Sequence, residues 1–85
     1  MKSFEYTIKD ELGIHARPAG LLAKLAMKYP CKITMKAPKK EVDAKRVMAV
    51  MSAGVKNSDS VTLEFDGENE SEAYDEMLAF FTENL

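Results

Sequence analysis

Ser60-Val61-Thr62-Leu63-Glu64-Phe65-Asp66 sends Val61, Leu63 and Phe65 to one side and leaves Thr62 and Glu64 on the other. A period of two marks a strand with one dry and one wet face. Outward from this stretch the pattern returns twice. Phe4, Tyr6 and Ile8 alternate with Ser3, Glu5 and Thr7, and Ile33, Met35 and Ala37 alternate with Lys32, Thr34 and Lys36 around Cys31–Ala37. A shorter strand is expected at Lys40–Asp43, turned back by Ala37-Pro38-Lys39. Strands buried on both faces would read as continuous apolar runs. The pattern therefore predicts a four-stranded antiparallel sheet, open on one face.

Three helical segments are available to cover the other face. Ala16 to about Tyr29 places Ala19, Leu22, Leu25, Ala26 and Tyr29 at helical spacing, and Pro30 ends it. Val47–Ser52 reads as a short apolar helix closed by Gly54 in a left-handed turn. The last helix is expected from about Glu70 to Asn84, with Asn69 and Glu72 at capping-box spacing and Tyr74, Met77, Leu78 and Phe81 as its buried stripe. The order β-α-β-β-α-β-α predicts an α/β (α+β) open-faced two-layer sandwich, one domain over residues 1–85.

Composition narrows the function classes. Hydrophobic residues at 46% and charged residues at 31% suit a globular chain and argue against disorder. All 12 Lys and Arg lie at or before Lys56, beside five acids (Glu5, Asp10, Glu11, Glu41, Asp43), whereas nine acids and no cation follow it. The basic part favours anionic partners. Nucleic acid is not expected, because the chain is net acidic, lacks Trp and interleaves no aromatics with a basic stripe. No apolar run resembles a signal peptide or spans a bilayer, so a cytoplasmic protein with no membrane insertion is expected. One His and one distant Cys make no metal site, and no second histidine or reactive thiol completes a nucleophile–base triad. Cys31 shares strand parity with Ile33 and Met35 and is expected to be a buried, inert thiol.

The chemistry concentrates in Gly13-Ile14-His15-Ala16-Arg17-Pro18-Ala19-Gly20. His15 stands at the expected mouth of the first helix, and Pro18 fits the first turn, where its missing N–H costs little. The first N–H groups of a helix have no internal acceptor and carry partial positive charge, which suits phosphate. A neutral imidazole there keeps a lone pair for attack at phosphorus. The N–H groups of Ala16 and Arg17, with the Arg17 guanidinium, could then hold the phosphoryl oxygens. Spacing alone leaves open whether His15 is such a nucleophile or only a polar cap.

Helical geometry also outlines a partner surface. Arg17, Gly20, Leu21, Lys24 and Met27 fall opposite Leu22, Leu25 and Tyr29, and Met48 and Met51 could extend the patch. Core filling is the competing reading for Met27, Met48 and Met51, and the preferred one for Val50.

Leu12-Gly13-Ile14-His15-Ala16-Arg17-Pro18-Ala19 resembles the active-site signature of the histidine-containing phosphocarrier (HPr) family of the bacterial phosphoenolpyruvate-dependent sugar phosphotransferase system. The likeness continues through Val47-Met48-Ala49-Val50-Met51-Ser52-Ala53-Gly54 and the order of elements. It implies that His15 takes a phosphoryl group on Nδ1 from phosphorylated enzyme I and passes it to sugar-specific IIA domains. Arg17 would be the phosphate and transition-state partner. Gly20, Leu21, Lys24, Met27, Val47, Met48 and Met51 would form the docking face of a monomer needing no cofactor of its own. Where regulated relatives carry a kinase-targeted serine, this chain has Arg46, so serine-linked control through that position is expected to be absent. Arg46 cannot accept a capping bond, and Asp43 could replace it by starting the helix earlier. Two alternatives stay open: a regulatory binding module of the same fold, or a carrier in a paralogous, nitrogen-related phosphorelay.

Overall fold

A computed structural model describes residues 1–85. The elements are β1 (Lys2–Thr7), α1 (Ala16–Ala26), β2 (Lys32–Lys36), β3 (Glu41–Asp43), α2 (Val47–Ser52), β4 (Ser60–Asp66) and α3 (Glu70–Asn84). The strands form one antiparallel sheet in the order β1-β4-β2-β3, so the stretch with the clearest alternation lies inside the sheet. Register aligns Phe4, Leu63, Met35 and Val42 in one row across all four strands. That row faces the helices. The opposite face carries Ser3, Glu64, Thr34 and Asp43, with Lys36 Nζ paired to Glu64 Oε2 at 3.1 Å. The expected open-faced sandwich is the observed fold.

Beneath the helices lies a core cluster of 21 buried residues. Phe4 is its aromatic hub, with Tyr74 and Phe81 edge-on at 5.5 and 5.7 Å and Phe65 stacked at 5.9 Å between ring centres. Cys31 is buried, and burial pushes its thiol upward from the ordinary range, as expected of an inert group. No helix is long and apolar enough to cross a membrane.

Several local expectations are corrected. α1 stops at Ala26 rather than near Tyr29. The N–H groups of Lys28 and Tyr29 reach back only three residues, to Leu25 and Ala26, so the final turn tightens as the chain approaches Pro30, which disfavours helical geometry at Tyr29. Leu25 and Tyr29 are half-buried, and Ala23 joins the buried stripe instead. On α3, Ala73, Met77 and Phe81 are sealed, while Tyr74 and Leu78 are half-buried. The capping box does not form. Asn69 has φ 65°, outside the extended region an N-cap side chain needs, and its Nδ2 donates to Glu72 Oε1 at 2.8 Å. Asp43 does not start α2 early either. Its Oδ1 accepts from the Lys45 N–H at 2.9 Å, making a turn that leaves Arg46 as N-cap with no side-chain bond.

Two features make the fold testable. Gly13 has φ +67°, and a Cβ there would overlap the Val55 carbonyl. Gly13→Ala should therefore destabilise by about 2 kcal/mol or more in urea unfolding, whereas Gly20→Ala, in open space on α1, should be neutral or mildly stabilising.

The second is the tie between the end of α1 and α3. The Tyr29 hydroxyl donates to Glu76 Oε1, and Lys28 Nζ meets Glu76 Oε2 at 2.8 Å. Hydrogen bonding to Glu76 pushes Tyr29 up to about 12, and the Lys28 and Tyr29 bonds hold the Glu76 carboxyl below its usual range. The Glu76 contribution is present above the unfolded carboxylate value of 4.5 and is lost as pH falls through the lower folded value. The Tyr29 contribution is present below 10.0 and is lost as pH rises through about 12. Tyr29→Phe should thus lower the unfolding midpoint at neutral pH, with the gap to the wild type closing at strongly acid pH.

Candidate functional site

The loop between β1 and α1 is held by bonds that leave little choice of path. Asp10 Oδ1 accepts from the Leu12 N–H at 2.8 Å, the Asp10 carbonyl accepts from the Gly13 N–H at 3.0 Å, and the Val55 carbonyl accepts from the Ile14 N–H at 3.1 Å. Ile14 is buried, anchoring the chain one residue before the histidine. His15 follows in an extended conformation (φ −101°, ψ −173°) as N-cap of α1, and its carbonyl accepts the first helical bond from the Ala19 N–H at 3.0 Å.

The mouth of α1 is therefore an open donor site. The N–H groups of Ala16 and Arg17 have no acceptor within the chain. Pro18 contributes none and is buried beneath the mouth. The His15 imidazole makes no capping bond and is half-buried, sealed neither in the core nor by a neighbour. Arg17 is exposed and takes part in none of the ion pairs of the molecule. His15 and Arg17 line a depression of about 250 Å³ together with Asp10, Pro18, Leu21 and Asn84. Asp10 and Asn84 escaped the reading of the sequence. Asp10 had a signal in its turn-forming position three residues before Gly13; Asn84 had none. A wider groove of about 400 Å³ between α1 and α3, floored by Leu25 and Phe80, contains neither His15 nor Arg17.

The predicted partner face is laid out beside this depression. Leu21, Met27, Val47, Met48 and Met51 are all exposed, Met48 at 72%, whereas Val50 is fully buried. Lys24 is exposed and Gly20 half-buried on the same side of α1. α1 and α2 pack on each other, which brings the two groups of residues together. Arg46 is exposed at the start of α2. Ser52 is held by a bond to the Ala49 carbonyl at 2.8 Å and by Lys40 Nζ at 3.0 Å.

Known proteins resemble this chain in sequence and fold. The family model described as the PTS HPr component phosphorylation site matches residues 2–83. A phosphocarrier protein HPr from Mycoplasma genitalium is 39% identical over 85 residues, covering 99% of this chain and 97% of the relative. The structure of a mycoplasma histidine-containing phosphocarrier protein superposes with a TM-score of 0.94 at 33% identity, over 96% of this chain and 93% of the other. An HPr structure from Thermoanaerobacter tengcongensis gives 0.90 at 35% identity, over 96% and 92%. With its fold and nearly its whole length matched, the chain belongs to the HPr family of phosphocarriers of the phosphotransferase system.

Proposed function

We propose that His15 is the phosphoryl acceptor of this carrier, loaded by phosphorylated enzyme I and discharged to sugar-specific IIA domains. The observation that carries the reading is an unbonded imidazole and an unpaired guanidinium lining one depression, at a helix mouth where the N–H groups of Ala16 and Arg17 are free. The Nδ1 lone pair attacks phosphorus while the bond to the donor breaks and its electron pair leaves with the donor. Transfer onward reverses these roles: the P–N bond breaks, the pair returns to Nδ1, and the acceptor's nucleophile takes the phosphoryl group.

Each residue of the site has a part in this. The N–H groups of Ala16 and Arg17 donate to the phosphoryl oxygens, and Arg17 supplies a fork matched to their spacing. Such transfers proceed through a loose transition state, so positioning and electrostatics account for most of the rate. The domain, residues 1–85, acts as a carrier rather than a catalyst. Its working unit is taken as a single chain, because His15 and Arg17 line one depression of the same chain. Gly20, Leu21, Lys24, Met27, Val47, Met48 and Met51 form the face that docks donor and acceptor, methionine adapting to more than one partner. Arg46 offers no hydroxyl for a kinase. A purely regulatory binding module would not need the open donors around His15, and their presence favours the carrier.

Incubation with enzyme I and phosphoenolpyruvate should add one acid-labile phosphoryl mass, absent in His15→Ala. Arg17→Ala should keep the fold, by circular dichroism and thermal melting, yet slow transfer about tenfold to a hundredfold, the scale of a lost charge-assisted bond. An unchanged rate would remove Arg17 from the mechanism.

Leu21→Glu places a charge in the centre of the docking face and should weaken enzyme I binding about tenfold or more in titration calorimetry, with little change in melting temperature. Unfolding of that variant would assign Leu21 to the core.

A further inference from the structure

The depression that holds His15 and Arg17 also contains a carboxylate the proposed transfer does not use. Asp10 is fixed there from both backbone and side chain. Its Oδ1 accepts from the Leu12 N–H at 2.8 Å and its own N–H donates to the Leu85 carbonyl at 2.9 Å. Its carbonyl accepts from the Gly13 N–H at 3.0 Å and from Asn57 Nδ2 at 3.3 Å. The negative charge is not cancelled in place, since Asp10 takes part in none of the ion pairs. Arg17 is the one cation lining the depression, and Asn84, Pro18 and Leu21 bring no charge.

We infer that Asp10 sets the transfer potential of the phosphorylated carrier: its charge raises the energy of phosphohistidine at position 15 and drives the group onward. The inference rests on the proposal that His15 carries the phosphoryl group. A fixed anion lining the same depression repels a phosphoryl dianion even through water. The unphosphorylated imidazole has no such charge to repel. Asp10 therefore disfavours loading and favours discharge, opposing the free N–H groups and Arg17, which favour loading. In discharge the P–N bond breaks with its pair returning to Nδ1, and the acceptor's nucleophile forms the new bond to phosphorus. In hydrolysis the oxygen of water forms that bond, the ring regains a proton and inorganic phosphate departs. Either route separates the dianion from Asp10.

Two roles of this side chain can be pulled apart, because an amide oxygen can accept the Leu12 N–H as a carboxylate does. Asp10→Asn keeps the turn and removes the charge. The experiment measures the equilibrium of phosphoryl exchange between enzyme I and the carrier for the wild type and Asp10→Asn. Asp10→Ser serves as a second neutral variant that can also accept the turn bond, and thermal melting monitors the fold. Neutral, folded variants should shift the equilibrium toward the phosphorylated carrier by about threefold to tenfold at low ionic strength. The shift should shrink as salt is raised, which loss of a structural bond would not imitate. Equal equilibria in wild type and folded neutral variants, or a shift indifferent to salt, would overturn the role of Asp10 while leaving His15 as acceptor. Failure of the wild type itself to take up phosphate would remove both readings together.

Discussion

The crossing of Gly13 and Ile14 over the carbonyl of Val55 is the contact on which the site depends. It joins the loop leading into α1 to the segment between α2 and β4. There is no room for a Cβ at Gly13, so the loop approaches to backbone distance, and the Ile14 N–H donates to Val55. Neighbouring bonds widen the junction. Ile8 and Asp59 are linked through the Ile8 N–H, the Ser58 N–H returns to the Ile8 carbonyl, and Asn57 Nδ2 reaches the Lys9 carbonyl. With the chain pinned on both sides of Leu12, His15 is placed in extended geometry and α1 begins where its first donors face outward.

That arrangement leaves polar groups unpaired only where water or a ligand can reach them. Every buried side-chain polar atom in the molecule has a hydrogen-bond partner. The free donors of Ala16 and Arg17 lie on exposed residues, so water hydrates them and the full desolvation penalty of an orphaned donor is not incurred. If His15 carries the phosphoryl group, as proposed, that group exchanges with solvent rather than relieving strain. Reversibility follows from this, and a carrier that must release its cargo needs it more than it needs tight binding.

Much of this was readable from residue order because the governing interactions are local. Alternation marks the inward faces of the strands, and the adjacency of Gly13, His15, Arg17 and Pro18 marks the helix mouth. Helical angle placed Leu21 and Met27 opposite the buried stripe of α1, whereas Met48 stayed open between surface and core and only the packing of α2 exposes it. The misreadings share a different cause. Asn69 and Glu72 have the spacing of a capping box, yet the left-handed backbone at Asn69 turns the two side chains toward each other. Asp43 could cap a helix or make a turn, and the Lys45 N–H decided for the turn. The Tyr29–Glu76 tie and the arrival of Asn84 beside His15 depend on how α3 settles against α1. No short window of sequence contains that packing.

Charge placement connects the site to the surface around it. Lys28 and Lys36 are engaged within the chain, with Glu76 and Glu64, whereas Arg17 forms no ion pair beside the exposed apolar residues of α1 and α2. A partner offering an apolar patch edged with carboxylates would meet that face with complementary charge, and such charges act more on encounter rate and register than on affinity. On the proposed reading the same face receives the donor and then the acceptor. Both cannot occupy it at once, because the reactive ring lies beside a single face. Each complex must therefore dissociate before the next forms. An exposed methionine surface with long-range steering suits that requirement better than a deep, tightly complementary interface: steering speeds arrival, while the absence of a buried anchor allows departure.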